Sequence, residues 1–235
     1  MMSAVPTRNR GAMIPLKDDS PSALKPVVTL SLIVGCALVF LWQRSLDAAS
    51  SRQAVAALGA IPAVLLTDAR LPPDWQWIPR FATPLTSMFL HGGWLHLLGN
   101  MLFLWIYGDN VEDALGHGRF FGFYLVCGIA AVFAQALSNP ASPYPIIGAS
   151  GAISGVLGAY LLLFPRARVL TLVLLPFYVT TVRMPARLLL LLWFAVQLVS
   201  DLAVAGAGGI AFRAHIGGFL TGLLLTPLLR WRAAR

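Results

Sequence analysis

Long apolar runs, separated by connections that together with the termini hold most of the basic residues, recur along the chain. They fall at about residues 24–42, 89–107, 120–137, 148–164, 188–202 and 210–229. Most come close to the roughly 20 residues that a helix needs to cross the hydrocarbon core of a bilayer. With 58% hydrophobic and only 11% charged residues, the chain belongs with multispanning membrane proteins, not soluble domains. The net charge of +8 does not point to nucleic acid, because the basic residues sit between apolar runs and at both ends. That is the distribution of a polytopic protein whose basic segments stay in the cytoplasm. Cys36 and Cys127 both lie inside apolar runs. No disulfide, metal site or cofactor is expected from them.

Six runs give an all-α, six-helix membrane bundle over residues 24–229. Residues 1–23 read as a flexible cytoplasmic tail and residues 230–235 as a basic cytoplasmic tail. The N-terminus lacks the layout of a cleaved signal peptide, and a cell (plasma) membrane with both termini inside is expected. The segment 43–81 mixes Ala-rich and Pro/Trp-rich pieces, with an interfacial portion around Trp75 and Trp77. Residues 169–181, interrupted by Pro176, read as a re-entrant or interfacial piece; counting them as a full span would scatter the basic segments over both sides. Glu112 and Arg119 are expected to tie the connection after the second run together.

Within this frame the polar residues of the apolar runs stand out. Pro143 and Pro145 precede the fourth run, so Ser150 falls in the first turn of its helix. The N–H groups there have no partner inside the helix and, with the helix dipole, favour a negative oxygen. Gly151, Gly155 and Gly158 leave one face bare for another helix. On this stretch alone two readings stand: a nucleophile, or a serine that only packs. The sixth run carries His215, Gly218 and Gly222 at i, i+3 and i+7, a second bare face with a histidine on it. Docking of the two glycine faces would bring His215 to Ser150, and serine needs such a base to act as a nucleophile. In the second run His96 and Asn100, at i and i+4, share a face. Buried polar groups in a membrane turn to the bundle interior, so these two are either oxyanion donors or a packing pair. Zinc would want three or four well-placed ligands, and His91 is poorly phased with His96.

Taken together, these residues resemble the rhomboid intramembrane serine proteases. The resemblance rests on His91, His96 and Asn100, on Gly148-Ala149-Ser150-Gly151, on Ala214-His215 with Gly218 and Gly222, and on Gly108, Glu112 and Gly116 after the second run. It implies Ser150 as nucleophile, His215 as general base, and His96, Asn100 and the Ser150 N–H as oxyanion donors. His91 would hold the adjoining loop. Substrates would be single-span or polytopic membrane proteins, entering from the bilayer near the fifth span and unwinding before cleavage. Two departures are visible. Trp77-Ile78-Pro79-Arg80 replaces the family's adjacent Trp-Arg pair, and Ser154 stands where many members stack an aromatic ring on the histidine. His215 would then be oriented differently, through a hydrogen bond or a water. Asp201 reads chiefly as an interfacial carboxylate, with a third-partner role as the lesser reading. Two other classes compete: an inactive relative that binds transmembrane helices, and a transporter. The absence of an internal repeat speaks against the transporter.

Overall fold

A computed structural model describes residues 12–175, 177–203 and 211–229. Nine α-helices are present among them. α1 (Val27–Ser45) leads through α2 (Ala48–Leu58), α3 (Pro62–Leu66) and α4 (Thr83–Thr86) to α5 (Trp94–Leu115). Then follow α6 (His117–Ser138), α7 (Ser150–Leu163), α8 (Ala186–Ala203) and α9 (Phe212–Leu229). α1, α6 and α9 are long and apolar enough to cross a membrane. Pro73–Phe89 and α5 form a fourth, bent candidate whose two parts meet at 82°. Length and apolarity thus mark three or four spans among the described residues, where the sequence led us to expect six.

α7 is the centre of the bundle. It is buried on every face from Gly151 to Tyr160, as expected for a helix that is apolar all round. Its 14 residues make it about 21 Å long, short of the roughly 30 Å of a hydrocarbon core. α5, α6 and α9 pack around it. The outer faces of the surrounding helices are apolar and exposed, as at Val34 and Leu38 of α1, Leu191 and Val199 of α8, and Leu224 and Leu228 of α9. Such faces suit a hydrocarbon solvent.

The α7–α9 contact follows from the two glycine stripes. A side chain at Gly218 would run into the Gly151 carbonyl, and one at Gly222 would lie 2.7 Å from Gly155 Cα. Only hydrogen fits at either position, so the two backbones touch.

Glu112 ties α5 to α1. Its carboxylate accepts from Val28 N–H at 2.8 Å, Thr29 N–H at 2.8 Å and Thr29 Oγ1 at 2.7 Å. The two N–H groups are orphan donors of the first turn of α1. Glu112 also pairs with His117 Nδ1 at 2.6 Å. The tie expected within the connection therefore runs to α1 and to His117.

The expectation of an all-α chain needs correction. β1 (Ala12–Asp18), β2 (Arg168–Leu175) and β3 (Tyr178–Pro185) form an antiparallel sheet in that order. β2 and β3 are the run read as re-entrant or interfacial. They alternate Val and Thr with other apolar residues on both sides of Pro176, a composition that favours pleated strands. β1 lies within residues 1–23, the segment expected to be flexible. It is held by the ladder to β2, with Ala12 opposite Leu174 and Asp18 opposite Val169. Asp18 adds side-chain ties, with Oδ2 accepting from Tyr160 Oη at 2.5 Å and from Asn110 Nδ2 at 2.9 Å. Residues 1–11, the start of the expected sixth run at Ile210, and the basic tail 230–235 lie outside the described residues.

Candidate active site

Ser150 is the first residue of α7. The chain reaches it through a turn with Gly148 at φ +115°, a conformation that disfavours any side chain. Gly148 N–H is pinned to Ser87 O at 2.9 Å. The first bond inside α7 runs from Ile153 N–H to Ala149 O, and no side chain caps the helix. The N–H groups of Ser150, Gly151 and Ala152 are therefore not used within the helix, and they point toward the Ser150 side of the bundle.

α9 brings its histidine here. His215 Nε2 lies 2.9 Å from Ser150 Oγ, although 65 residues separate the two. The glycine contact sets this distance, since Gly218 is one turn below His215 and Gly151 is next to Ser150. On its other side, His215 Nδ1 lies 2.8 Å from Gln197 Oε1 of α8. Trp193, one turn before Gln197, sets its ring against the imidazole with centroids 5.9 Å apart. Asp201 is elsewhere engaged, accepting from Arg213 Nε at 3.0 and 3.1 Å. Gln197 was not singled out from the sequence. Its signal was there: it is the lone amide in an apolar run, and buried polar groups of that kind need a partner.

α5 supplies the third wall. His96 Nδ1 accepts from Gly92 N–H at 3.3 Å. This leaves Nε2 as the protonated nitrogen of a neutral ring. A side chain at Gly148 would come within 2.7 Å of His96 Nε2 and 3.8 Å of Ser150 Oγ. The bare glycine thus keeps open a space that both groups face. Asn100 is buried and donates from Nδ2 to His96 O at 3.0 Å, which occupies one of its two N–H bonds. His91 lies in the loop before α5. Its Nδ1 is 3.2 Å from Phe89 O and its N–H donates to Gln43 Oε1 at 3.0 Å. Ser154 Oγ donates to Ser150 O at 2.6 Å, and among the described residues no hydrogen bond joins it to the imidazole. Beside Ser150 is a recess of about 20 Å³, walled by small residues such as Gly128, Ala131, Gly151 and Ala214. Arg80 of the altered Trp-Arg element donates from Nη1 to Val64 O and Thr67 O, stitching the first connection together.

Residues 79–232 match the Rhomboid domain family. The chain belongs to the rhomboid family. It is 31% identical over 170 residues to Rhomboid protein 1, mitochondrial, of Saccharomyces cerevisiae, covering 66% of this chain and 47% of that one. It is 37% identical over 137 residues to Rhomboid protease GluP of Bacillus subtilis, covering 58% and 24%. It is also 33% identical over 145 residues to Rhomboid-like protease 5 of Toxoplasma gondii, covering 59% and 15%. The matched part is thus less than half the length of each of these rhomboid relatives. As a rhomboid, the chain is a membrane-embedded helical protein, and its family includes proteins named as proteases.

Proposed function

We propose that this rhomboid is an intramembrane serine endopeptidase. Its substrates are transmembrane segments of other membrane proteins, cut near the outer face of the bilayer. The observation that carries the reading is the 2.9 Å approach of His215 Nε2 to Ser150 Oγ. At that distance Nε2 can take the hydroxyl proton as Oγ attacks the scissile carbonyl carbon. The resulting imidazolium then gives the proton to the leaving amine. Water, deprotonated by the same histidine, releases the acyl group from Ser150. The developing oxyanion would be met by the Ser150 N–H, His96 Nε2–H and the remaining N–H of Asn100, all fixed before reaction. The small-walled recess next to Ser150 suits a small side chain beside the cut bond. A helical substrate hides its carbonyls in i→i−4 bonds, so the site acts on segments that unwind readily, those with Gly or Pro near the cut.

The membrane topology belongs to the same proposal. Six passes, counting the short α7 and the arginine-flanked α8, put both termini and the β-sheet on the cytoplasmic side, where Arg166, Arg168, Arg183 and Arg187 cluster. Ser150 and His215 then lie on the opposite side. Because α7 is short, Ser150 is sunk below the outer surface. A cell membrane is the proposed location, with no cofactor.

Covalent labelling tests the reading without a known substrate. Purified protein is treated with a panel of fluorophosphonates and the modified peptide is mapped by mass. Phosphonylation of Ser150 that is lost in His215→Ala is expected. No labelling of a folded protein by any probe would favour the other reading, an inactive relative that binds transmembrane helices.

A further inference from the structure

We infer that Gln197 is a positioning residue that fixes the tautomer of His215. The inference rests on the reading of Ser150 and His215 as a working pair. A neutral imidazole carries its proton on one nitrogen only, and the pair works only if Nε2 is the bare one. Ser150 cannot decide this, because a hydroxyl donates or accepts equally well. Gln197 can in the orientation it adopts: its carboxamide oxygen Oε1, which only accepts, lies 2.8 Å from Nδ1, whereas the amide turned over would donate there and favour the opposite tautomer. The proton is therefore drawn to Nδ1, and the Nε2 lone pair faces the Ser150 hydroxyl at 2.9 Å. With Nδ1 unpartnered, the opposite tautomer becomes available. Its Nε2–H donates to Oγ and cannot take a proton.

The surroundings leave this task to Gln197. The position four after the serine is Ser154, whose hydroxyl is spent on Ser150 O. The carboxylate one turn along α8, Asp201, is held by Arg213. Among the described residues the other titratable group facing the imidazole is His96 of α5, whose Nδ1 already accepts from Gly92 N–H. Gln197 is 8% exposed, among leucines and valines that face outward. An amide in that setting strongly favours keeping its hydrogen bond. Being neutral, it sets the tautomer without burying a second charge. Trp193 restrains the ring plane while Gln197 restrains its protonation, so α8 controls both.

Four histidines make the experiment tractable. Protein labelled with 15N-histidine is studied by NMR, with the His215 signal assigned from its loss in His215→Ala. Cleavage of a single-span reporter is measured in parallel as a function of pH. The wild type is expected to show a protonated Nδ1 and a bare Nε2 at His215. Gln197→Leu removes the acceptor at similar volume. It should give a mixture of tautomers and lower kcat by ~10- to 150-fold, the loss that follows from a hydrogen bond to a charged group, with KM little changed. Gln197→Glu keeps the acceptor and adds charge. It should retain the Nδ1–H tautomer and move the acidic limb of the kcat profile to higher pH. A bare Nδ1 in the wild type overturns the inference, and so does a Gln197→Leu protein with unchanged tautomer and kcat. Should Gln197→Leu fail to fold, an unmoved acidic limb in Gln197→Glu overturns it as well. The predicted tautomer in a protein without turnover would instead sink the protease reading and leave the role of Gln197 standing.

Discussion

Gly218→Ala tests whether the contact between α7 and α9 sets the geometry of the site. The added methyl would lie 2.9 Å from the carbonyl carbon of Gly151, and closer still to its oxygen. Non-bonded atoms settle at about 3.5–4.0 Å. Both partners are backbone, so neither can rotate away, and the helices must part by roughly 1 Å. His215 is one turn from Gly218, and Ser150 adjoins Gly151. Most of that displacement therefore reaches the 2.9 Å contact between Nε2 and Oγ and takes it beyond hydrogen-bond reach. A misplacement of about 1 Å costs on the order of a hundredfold in rate. Stability should change less. Overpacking costs about 1–3 kcal/mol, offset by roughly 1 kcal/mol of helix propensity gained over glycine. The prediction is a fall in kcat of ~100-fold with an apparent Tm within a few degrees of the wild type. Reporter cleavage and thermal denaturation, run on the same preparation, check it. Gly122→Ala is the control, since nothing lies within 4 Å of its added carbon, and it should keep full activity. A Gly218→Ala protein that cleaves within twofold of the wild-type rate would refute the claim that the glycine contact positions the dyad.

Other substitutions separate chemistry from support. Asn100→Ala should lower kcat by roughly ten- to a thousandfold, the range for one oxyanion donor; an unchanged rate would leave Asn100 with only its bond to His96 O. Glu112→Ala strips the first turn of α1 of its cap and leaves the Val28 and Thr29 donors unmet. A loss of about 2 kcal/mol is expected, seen as an apparent Tm lower by ~4–8 °C, with turnover per folded molecule retained. Asp18 is half-buried, and burial raises its carboxyl above the ordinary 3.8. A raised folded value means that the native state binds the proton more tightly. The contribution of Asp18 is then fully present below pH 3.8 and is lost as the pH rises through the folded value. The wild type should therefore lose stability relative to Asp18→Asn as the pH is raised from about 4 toward neutrality; parallel denaturation curves across that range would contradict this.

Much of the site was legible because it is written in residues whose alternatives are costly. A glycine stripe inside an apolar run announces a close neighbour, and two such stripes, at Gly151/Gly155 and Gly218/Gly222, announced each other. Polar side chains in the same runs could only turn inward, which is why His96, Asn100, Ser150 and His215 converge. What escaped has equally physical reasons. Asp201 drew attention as a carboxylate near the histidine, but its charge is met by Arg213, which lies on the same helix as His215 and closer to Asp201. Gln197, uncharged and ordinary in composition, takes the place beside the imidazole. The sheet was hidden because its strands carry the apolar content of a membrane run; the β-branched residues of 169–182 and the central Pro176 were the distinguishing marks. β1 was hidden more deeply. A short strand with a proline in it, Ala12–Asp18, acquires its conformation from a partner far along the chain, and no local pattern reports that.

That last pairing has a consequence for the order in which the molecule is made. The bond from Arg168 N–H to Asp19 Oδ1 spans 149 residues. At about 5–20 residues per second, the ribosome needs roughly 7–30 s to deliver β2 after β1 has left it. For all that time β1 has no edge to join, while α1, α5 and α6 can already be inserting. The sheet therefore closes only after α1, α5, α6 and α7 have been made, and ahead of α8 and α9. Chains arrested before residue 168 should expose residues 12–19 to protease, and chains arrested well past residue 185 should protect them.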